Sequence, residues 1–482
     1  MADDHAPTST TTPTIEARSI DWVPDDERHG KVWRQGPFWF LGNFQPFTVG
    51  IGLVGPSLGL SLGQTAVASI LGILFGTVFM AFHAAQGPTF GLPQMVQSRA
   101  QLGYRGVVLA LVATAFTFVG FNVVDTVIIK LGLNGIFGWN ATVVAVVITV
   151  LAALLAIFGH DWLHRVFLAL FWVSLPFWVV LTIGVVTGHA GGHAPTASAF
   201  TWAGFLAQFT IAASYNITYS PYVSDYTRYL PRTTSTRSIV VSVFLGAAGS
   251  PIWLIPLGAW LGTRLGATDP LVGIHDAGNA VVGGLGSILA ALAVLALVAT
   301  MGLNAYSGML TVVTGIDSLR PVKPTVRLRV VTIVVLSVVW LLLGLALTNA
   351  TEALNNSLLI MLYLLAPWTA INLVDFFFIR RGHYAITDLF RPNGIYGAWS
   401  RRGVVAYLVG IVVEIPFMVL NGGAYTGWVA EHVLSSVDVS FILGMVVAGA
   451  IYLVTSRSLD RGAERAATQQ SEELLADTGV AR

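Results

Sequence analysis

Between about residue 36 and residue 456 the chain is a succession of apolar stretches, each near 20 residues long, with short polar joints between them. A bilayer core takes about 20 apolar residues per helix, so repeated stretches of this length dictate a chain that crosses a membrane many times. Composition leads the same way. Only 10% of the 482 residues are charged and 55% are hydrophobic, whereas a soluble domain carries about 25% charged residues. A soluble chain of this length would also divide into two or three domains with polar linkers, and none interrupts the apolar region. The fold class is an all-α polytopic membrane protein.

Twelve spans are expected, at about 37–60, 65–86, 106–129, 141–159, 166–187, 202–222, 238–262, 284–315, 329–348, 356–379, 403–421 and 437–455. The eighth is too long for one crossing and should extend a turn or two beyond the bilayer. Basic residues mark the cytoplasmic side. With both termini there, all of the 25 Lys and Arg except Lys130 and Arg264 fall on it. One missed helix would scramble that asymmetry. The first 35 residues are polar and lack the parts of a secretory signal. They are expected to form a cytoplasmic tail (1–35), followed by a core of helices 1–10 (36–380), helices 11–12 (381–456) and a solvated, partly helical C-terminal tail (457–482). An excess of Arg over Lys, with abundant Ala, Gly and Val, suggests GC-rich coding and a bacterial inner membrane.

Several functions are excluded early. A net charge of +1 gives no reason to expect nucleic acid. The absence of cysteine removes a disulfide framework, a Cys zinc site and a thiol nucleophile. Two overlapping G-x-S-x-G matches (Gly55–Gly59 and Gly59–Gly63) lie in a Gly/Leu-rich span rather than the strand-to-helix turn that a nucleophile elbow needs. His160 and His164 stand four residues apart around Asp161 but have no evident third ligand, and a solvated loop is the simpler reading. There is no phosphate-binding loop for an ATP-driven pump. No cofactor and no metal site are expected.

Two spans read as broken helices. Span 1 (FLGNFQPFTVGIGLVGPSLG) crowds Gly42, Asn43, Gln45, Pro46, Gly50, Gly52, Gly55 and Pro56 into one crossing. Proline removes a backbone donor and clashes with the preceding turn. Small residues also permit close helix packing, but the polar Asn43 and Gln45 at the same place favour a break. Span 6 gathers Ser214, Tyr215, Asn216, Thr218, Tyr219, Ser220 and Pro221 where lipid-facing residues would be Leu or Val. The two lie five helices apart and cross in opposite directions. Interrupted helices at matching positions of inverted halves point to a binding site at their junction.

An ionisable residue inside a span is expensive and defaults to a functional hypothesis. Asp125 in span 3 and Glu414 in span 11 qualify. A carboxyl that is protonated in one state and ionised in another performs proton coupling. For Glu414 a structural hydrogen bond is the simpler reading. Asp125 has better company: Phe121 lies one turn earlier on the same helix face, and Asn304 lies in span 8. A ring to stack and polar groups to read an N–H and C=O edge suit a flat polar heterocycle, with stacking worth about 0.5–1.5 kcal/mol beyond burial. Asp225 and Asp375 stand at cytoplasmic ends of spans near Arg228 and Arg380, as gate or anchor ion pairs.

The runs QGPTFGLPQMVQSRAQLGYRG (86–106), SPYVSDYTRYLP (220–231), NAYS (304–307) and LLAPWTAINLVDFFFIRRGHY (364–384) resemble the nucleobase:cation symporter-1 family, in the purine–cytosine permease branch. That resemblance implies twelve helices, the first ten forming a five-plus-five inverted repeat with helices 1 and 6 broken. It also implies cation-coupled import by alternating access, with substrate between helices 1, 3, 6 and 8. On that pattern Phe121 and Tyr219 stand where the family usually has Trp, Asp125 where it usually has an amide, and Asn304 matches the helix 8 Asn. Smaller rings and an acid put cytosine or a purine in question and favour a ring edge rich in N–H donors. The wider expected site adds Asn43, Gln45, Tyr215 and Asn216, with Asp125, Glu414, Asp225 and Arg228 for coupling and gating. Span 8 offers Thr300 and Ser307 as sodium-binding hydroxyls but only Leu, Ala and Val at Leu295–Ala299, which favours H+ over Na+ as the coupling cation. The alternatives are a sodium-coupled permease, or one for another ring such as allantoin, a hydantoin or a thiamine precursor. A passive channel and a membrane-embedded enzyme are more remote. Oligomeric state is open.

Overall fold

The computed structural model describes residues 18–193, 200–420 and 423–481, without the side chains of 350–353. Residues 1–17 of the expected N-terminal tail, residue 421 of the eleventh expected span and Arg482 lie outside the described residues. The helices are α1 (Gln35–Asn43), α2 (Pro46–Ser57), α3 (Leu62–Ala84), α4 (Gln86–Phe90), α5 (Gln94–Gln97), α6 (Arg99–Leu102) and α7 (Val108–Phe137). They continue with α8 (Ala141–Phe158), α9 (His160–Val186), α10 (Trp202–Ile217), α11 (Val223–Thr227), α12 (Thr236–Trp260), α13 (Pro270–Val281) and α14 (Leu285–Leu319). The last are α15 (Val326–Ala346), α16 (Ala350–Val374), α17 (Arg401–Glu414), α18 (Trp428–His432), α19 (Ser440–Thr455) and α20 (Arg461–Thr478). Among the described residues nine helices are long and apolar enough to cross a membrane. The other three expected spans fall on shorter helices: α1 with α2, α10 with α11, and α17. Helix α14, with 35 residues, rises about 52 Å at 1.5 Å per residue and overshoots the bilayer as expected.

Span 1 breaks between Asn43 and Pro46. Gln45 is extended (φ −159°, ψ 167°) and caps α2 by accepting from the Phe47 N–H, and Pro46 opens the helix where its missing N–H costs nothing. The glycines have a different task. A Cβ on Gly52 would lie 2.1 Å from the Ile255 carbonyl of α12, and one on Gly258 would lie 2.0 Å from the Val49 carbonyl of α2. These residues let α2 and α12 cross backbone to backbone. In span 6, α10 stops at Ile217, a 3-10 turn holds Ser220–Tyr222, and α11 resumes at Val223. Its close neighbour is α3, where a Cβ on Gly72 or Gly76 would meet the Phe209 or Ala213 carbonyl of α10 at 2.3 and 2.2 Å.

The helix packing is the same in both halves when spans 1–5 are exchanged with spans 6–10. Helix α1 packs on α12 and α9, and α10 packs on α3 and α16. Helix α7 meets α15, and α14 meets α8. Even the connectors correspond, because the short helix α4 packs on α11 and the short helix α13 on α2. Helix α13 was not anticipated. It has 12 residues, about 18 Å of helix, too short to cross. The five-plus-five inverted repeat is thus visible in which helix touches which.

Both described ends of the chain fold back onto the protein, against expectation. Residues 18–34 are a strap rather than a free tail: Ile20 and Val23 are fully buried, the Val23 N–H donates to Gly91 (2.9 Å), and the Gly30 N–H donates to Tyr229 (2.9 Å). Helix α20 is docked rather than solvated, burying Ser471 and Leu475. The Ser471 hydroxyl accepts from the Thr387 N–H at 3.0 Å, and Glu464 pairs with Arg380 at 2.7 Å. The eleventh span also ends early. Pro416 turns the chain through Ile415–Phe417 into a small antiparallel hairpin, β1 (Val419–Leu420) with β2 (Tyr425–Thr426).

Candidate substrate site

The two helix breaks face each other and are joined by hydrogen bonds. The Gln45 amide donates to the Tyr215 hydroxyl (3.0 Å), which also bonds the Thr48 hydroxyl (2.9 Å). Thr48 in turn closes the break by bonding the Asn43 carbonyl. Phe47 stacks nearly parallel on Tyr215, with centroids 5.3 Å apart and planes 9° apart. The interruption that frees Gln45 therefore also turns a ring and a hydroxyl toward span 6.

Helix α7 brings Phe121 to this junction. Phe121 stacks on Tyr219 with centroids 5.4 Å apart and an interplanar angle of 21°, and it lies 5.4 Å from Phe47. Tyr215, Tyr219 and Tyr222 continue the cluster, Tyr215 meeting Tyr219 edge-on at 5.4 Å. All are buried. Carbon atoms in contact lie about 3.5–4.0 Å apart, so a ring lying between Phe121 and Tyr219 would hold them roughly 7 Å apart. The expected sandwich requires these two rings to part by about 2 Å.

One turn along α7, Asp125 is fully enclosed, and neither carboxyl oxygen has a hydrogen-bond partner among the described residues. Its place four residues after Phe121 puts it on the same face of α7 as that ring. Helix α14 contributes Asn304, whose amide donates to Asn122 Oδ1 at 3.0 Å, while Asn122 donates to the Met301 carbonyl at 3.1 Å. The Asn304 carbonyl oxygen is buried without a partner among the described residues. Helix α7 thus carries a free carboxyl one turn from Phe121, and through Asn122 it meets the free amide carbonyl of Asn304, both acceptors. Such a set can receive N–H donors from a planar polar ring, because an unpaired buried acceptor costs about 1–3 kcal/mol until it is satisfied.

The remaining expected residues separate by task. Asn43 donates to Asn216 Oδ1 (2.8 Å) and to the Ala247 carbonyl (2.9 Å), and Asn216 donates to the same carbonyl and to Thr77 Oγ1. Their donors brace the two breaks against α12 and α3. Asp225 accepts from the Gln94 N–H at 2.9 Å and so anchors the α4–α6 segment to α11. Arg228 donates to the Ser19 carbonyl of the strap and to the Tyr306 hydroxyl of α14. Glu414 lies on α17, which packs chiefly on α16 and α19, and its carboxyl abuts Gly444 of α19. It does not join the Asp125 cluster, and neither of its oxygens has a hydrogen-bond partner among the described residues, so the expected structural hydrogen bond is not formed. Thr300 donates to Ala296 on its own helix and Ser307 to the Tyr226 hydroxyl.

Sequence reasoning missed Phe47, Thr48, Asn122 and Tyr222. Asn122 was detectable: it stands three residues before Asp125 and so shares its face. Phe47 and Thr48 had no signal, since their direction depends on where the break ends. Among the described residues no group of three or more His, Asp or Glu is placed to hold a metal ion.

Comparison with known proteins accords with this arrangement. Residues 22–444 match the family model described as permease for cytosine/purines, uracil, thiamine, allantoin. The putative purine-cytosine permease YxlA of Bacillus subtilis is 32% identical over 446 residues, covering 91% of this chain and 95% of that one. The purine-cytosine permease fcyB of Emericella nidulans is 27% identical, with 91% and 88% covered. Among solved structures, the nucleobase-cation-symport-1 family transporter Mhp1, closed with bromovinylhydantoin bound, superposes with a TM-score of 0.74 at 18% identity, covering 95% of this chain and 100% of that one. With the match to the family model running through both broken helices and all four site helices, this multi-pass membrane protein belongs to the family of permeases for cytosine and purines, uracil, thiamine and allantoin.

Proposed function

We propose that the protein imports a nucleobase or related small heterocycle by cation symport, through alternating access at the junction of the two broken helices. The observation that carries this reading is Asp125, a buried carboxyl with both oxygens unpartnered beside Phe121 and Tyr219. An acceptor pair of Asp125 and Asn304 matches a ring edge with N–H donors. Phe121 and Tyr219 supply the stacking surface once they part. Alternating access is supported by the paired breaks, each packed through glycine against a continuous helix. Relatives named for purine and cytosine transport point to those rings, and the hydantoin held by Mhp1 keeps smaller cyclic amides in view.

Protons are the coupling cation on this reading. Asp125 can accept one where substrate binds, and span 8 offers only Leu, Ala and Val around Leu295–Ala299 beside the hydroxyls of Thr300 and Ser307. Both termini are placed in the cytoplasm of a cell with this protein in its plasma membrane, because that orientation gathers the basic residues on one side. The chain acts as a carrier on this reading, which the permease description of its family supports.

The test is uptake into proteoliposomes of labelled cytosine, adenine, hypoxanthine, uracil, allantoin and a hydantoin under an inward proton gradient, with and without sodium. Accumulation of one ring above its external concentration, without sodium, is expected. Equilibration without accumulation would indicate a channel, and strict sodium dependence would remove the proton assignment.

A further inference from the structure

A recess of about 300 Å³ opens between the residues leading into α1 and the first turns of α9, with the Trp39 ring between its Tyr226 wall and Tyr219 of the aromatic cluster. Its walls carry Lys31, Arg34, Arg165, His29, His160 and His164. Sequence reasoning placed the two α9 histidines in a solvated loop, but they occupy the opening turns of α9, with ring centroids 4.5 Å apart. Asp161 is the one acidic side chain in this lining, and it already bonds His160 (3.0 Å) and His29 (3.5 Å). Among the described residues Lys31, Arg34 and Arg165 pair with no carboxylate. The two arginines instead lie over the neighbouring Trp33 and Trp162 rings, at 5.7 and 5.9 Å. Three cations and a histidine cluster thus share a hollow with a single, engaged acid.

We propose that this recess binds the phosphate of an anionic phospholipid headgroup. The choice of a lipid over a soluble anion rests on what adjoins the hollow. Arg165, Ala169, Trp172, Pro176, Val179 and Ile183 follow one another at intervals of four and three residues, so they form one stripe along α9, and all six are exposed. That stripe runs from the basic recess along an otherwise apolar face, as an acyl chain would. Helix α9 is also the least enclosed of the nine long helices, with 22% of its most apolar stretch buried. Trp33, 56% exposed beside Arg34, is the residue type that settles at headgroup level. Basic pockets between membrane helices bind anionic headgroups by the same charge complementarity.

A headgroup held there ties Arg34, at the start of α1, to Arg165 on α9. The floor is formed partly by Gln35 and Tyr226, and the Gln35 amide donates to the Tyr226 carbonyl of α11 at 3.2 Å. Lipid binding therefore reinforces the side on which the strap closes over α1 and α11. The inference concerns binding alone and stands whether or not any particular ring is transported.

The full-length protein, purified and delipidated in detergent, is titrated with dioctanoyl-phosphatidylglycerol, dioctanoyl-phosphatidylcholine or inorganic phosphate. Bound molecules are counted by native mass spectrometry, and unfolding temperature is followed in parallel. Phosphatidylglycerol should bind and stabilise the protein, with the choline lipid much weaker. The double variant Arg34→Gln/Arg165→Gln should bind phosphatidylglycerol about thirtyfold more weakly, taking each basic residue near a lipid surface at its usual worth. Arg34→Lys/Arg165→Lys should restore most of the binding, and Arg401→Gln/Arg457→Gln should leave it unchanged. Equal binding of the two lipids, or undiminished binding in the double Gln variant, would overturn the proposal. Displacement of phosphatidylglycerol by millimolar inorganic phosphate would reassign the recess to a soluble anion and also overturn it.

Discussion

Asp125 and its neighbours show how much a single side chain can announce. A carboxyl in the middle of an apolar span is costly, so Asp125 was conspicuous before its surroundings were known, and the structure leaves both its oxygens unpartnered. Asp125→Asn should fold and still exchange labelled substrate across the membrane while losing accumulation driven by a proton gradient. Parallel exchange and gradient-driven uptake assays distinguish the two activities. If accumulation survives, Asp125 is not the proton carrier. Phe121→Ala and Tyr219→Ala should each raise the apparent KM about twofold to tenfold, the range that a lost stacking contact accounts for, with an unchanged KM removing that ring from the site. Asn43 and Asn216 carry the opposite lesson. As polar residues in broken spans they looked like ligands, but both amides donate to the Ala247 carbonyl, Asn43 also to Asn216 and Asn216 also to Thr77. A side chain's type is written in the sequence, whereas the direction of its hydrogen bonds is not.

At the scale of helices, the breaks were legible because proline and capping residues act locally. Gln45 and Pro46 end one helix and begin the next without help from distant residues. The glycines of span 1 were harder to assign. Read as part of the break, several instead serve contact between helices, and Gly52 and Gly258 meet through their backbones. Gly76→Leu and Gly258→Leu should therefore prevent assembly, because a Cβ alone would sit 2.2 and 2.0 Å from a carbonyl oxygen of the partner helix. Gly63→Ala should behave as wild type, since nothing lies within 4 Å of the added carbon. The monodisperse yield after detergent extraction reads all three. Helix α13 and the hairpin after α17 escaped detection for a common reason. Both are too short for hydrophobic periodicity to stand out, and they are held by neighbours far away in sequence.

The whole molecule is closed on one side by pieces that looked dispensable. Arg380 was expected to pair with Asp375, and it does, because a π-helical turn at Asp375–Ile379 brings residues five apart onto one side. The same arginine reaches Glu464 of α20, while Asp375 accepts from Gln101, Tyr384 and Tyr452. Three parts of the chain, at Gln101, Asp375–Tyr384 and Tyr452, meet at this carboxylate, and α20 joins them through Arg380. Glu464→Ala should cost about 1.5 kcal/mol, the low end for a hydrogen bond to a charged group, because Asp375 still neutralises Arg380. Thermal unfolding in detergent should show that loss, and the exposed Glu473→Ala should show none. Helix α20 was read as solvated because its buried side, Ser471 and Leu475 with Ala467 beside them, offers one large apolar residue among many charges.

The sequence by itself determined that the chain lies in a membrane, where its long helices run, where two of them break and which carboxyl deserves suspicion. Each of these follows from local composition set against a solvent that forbids unpaired backbone and isolated charge. Tertiary structure alone decided which polar side chains remain unpartnered at the junction of the breaks, that Phe121 and Tyr219 lie in contact, and that residues 18–34 and helix α20 return to cover one side. Those outcomes depend on contacts between residues far apart in the sequence, such as Asn122 with Asn304 and Arg228 with Ser19. Local pattern carries no record of such partners, because hydrogen bonds and van der Waals contacts act only at a few ångströms and the chain must fold before they exist.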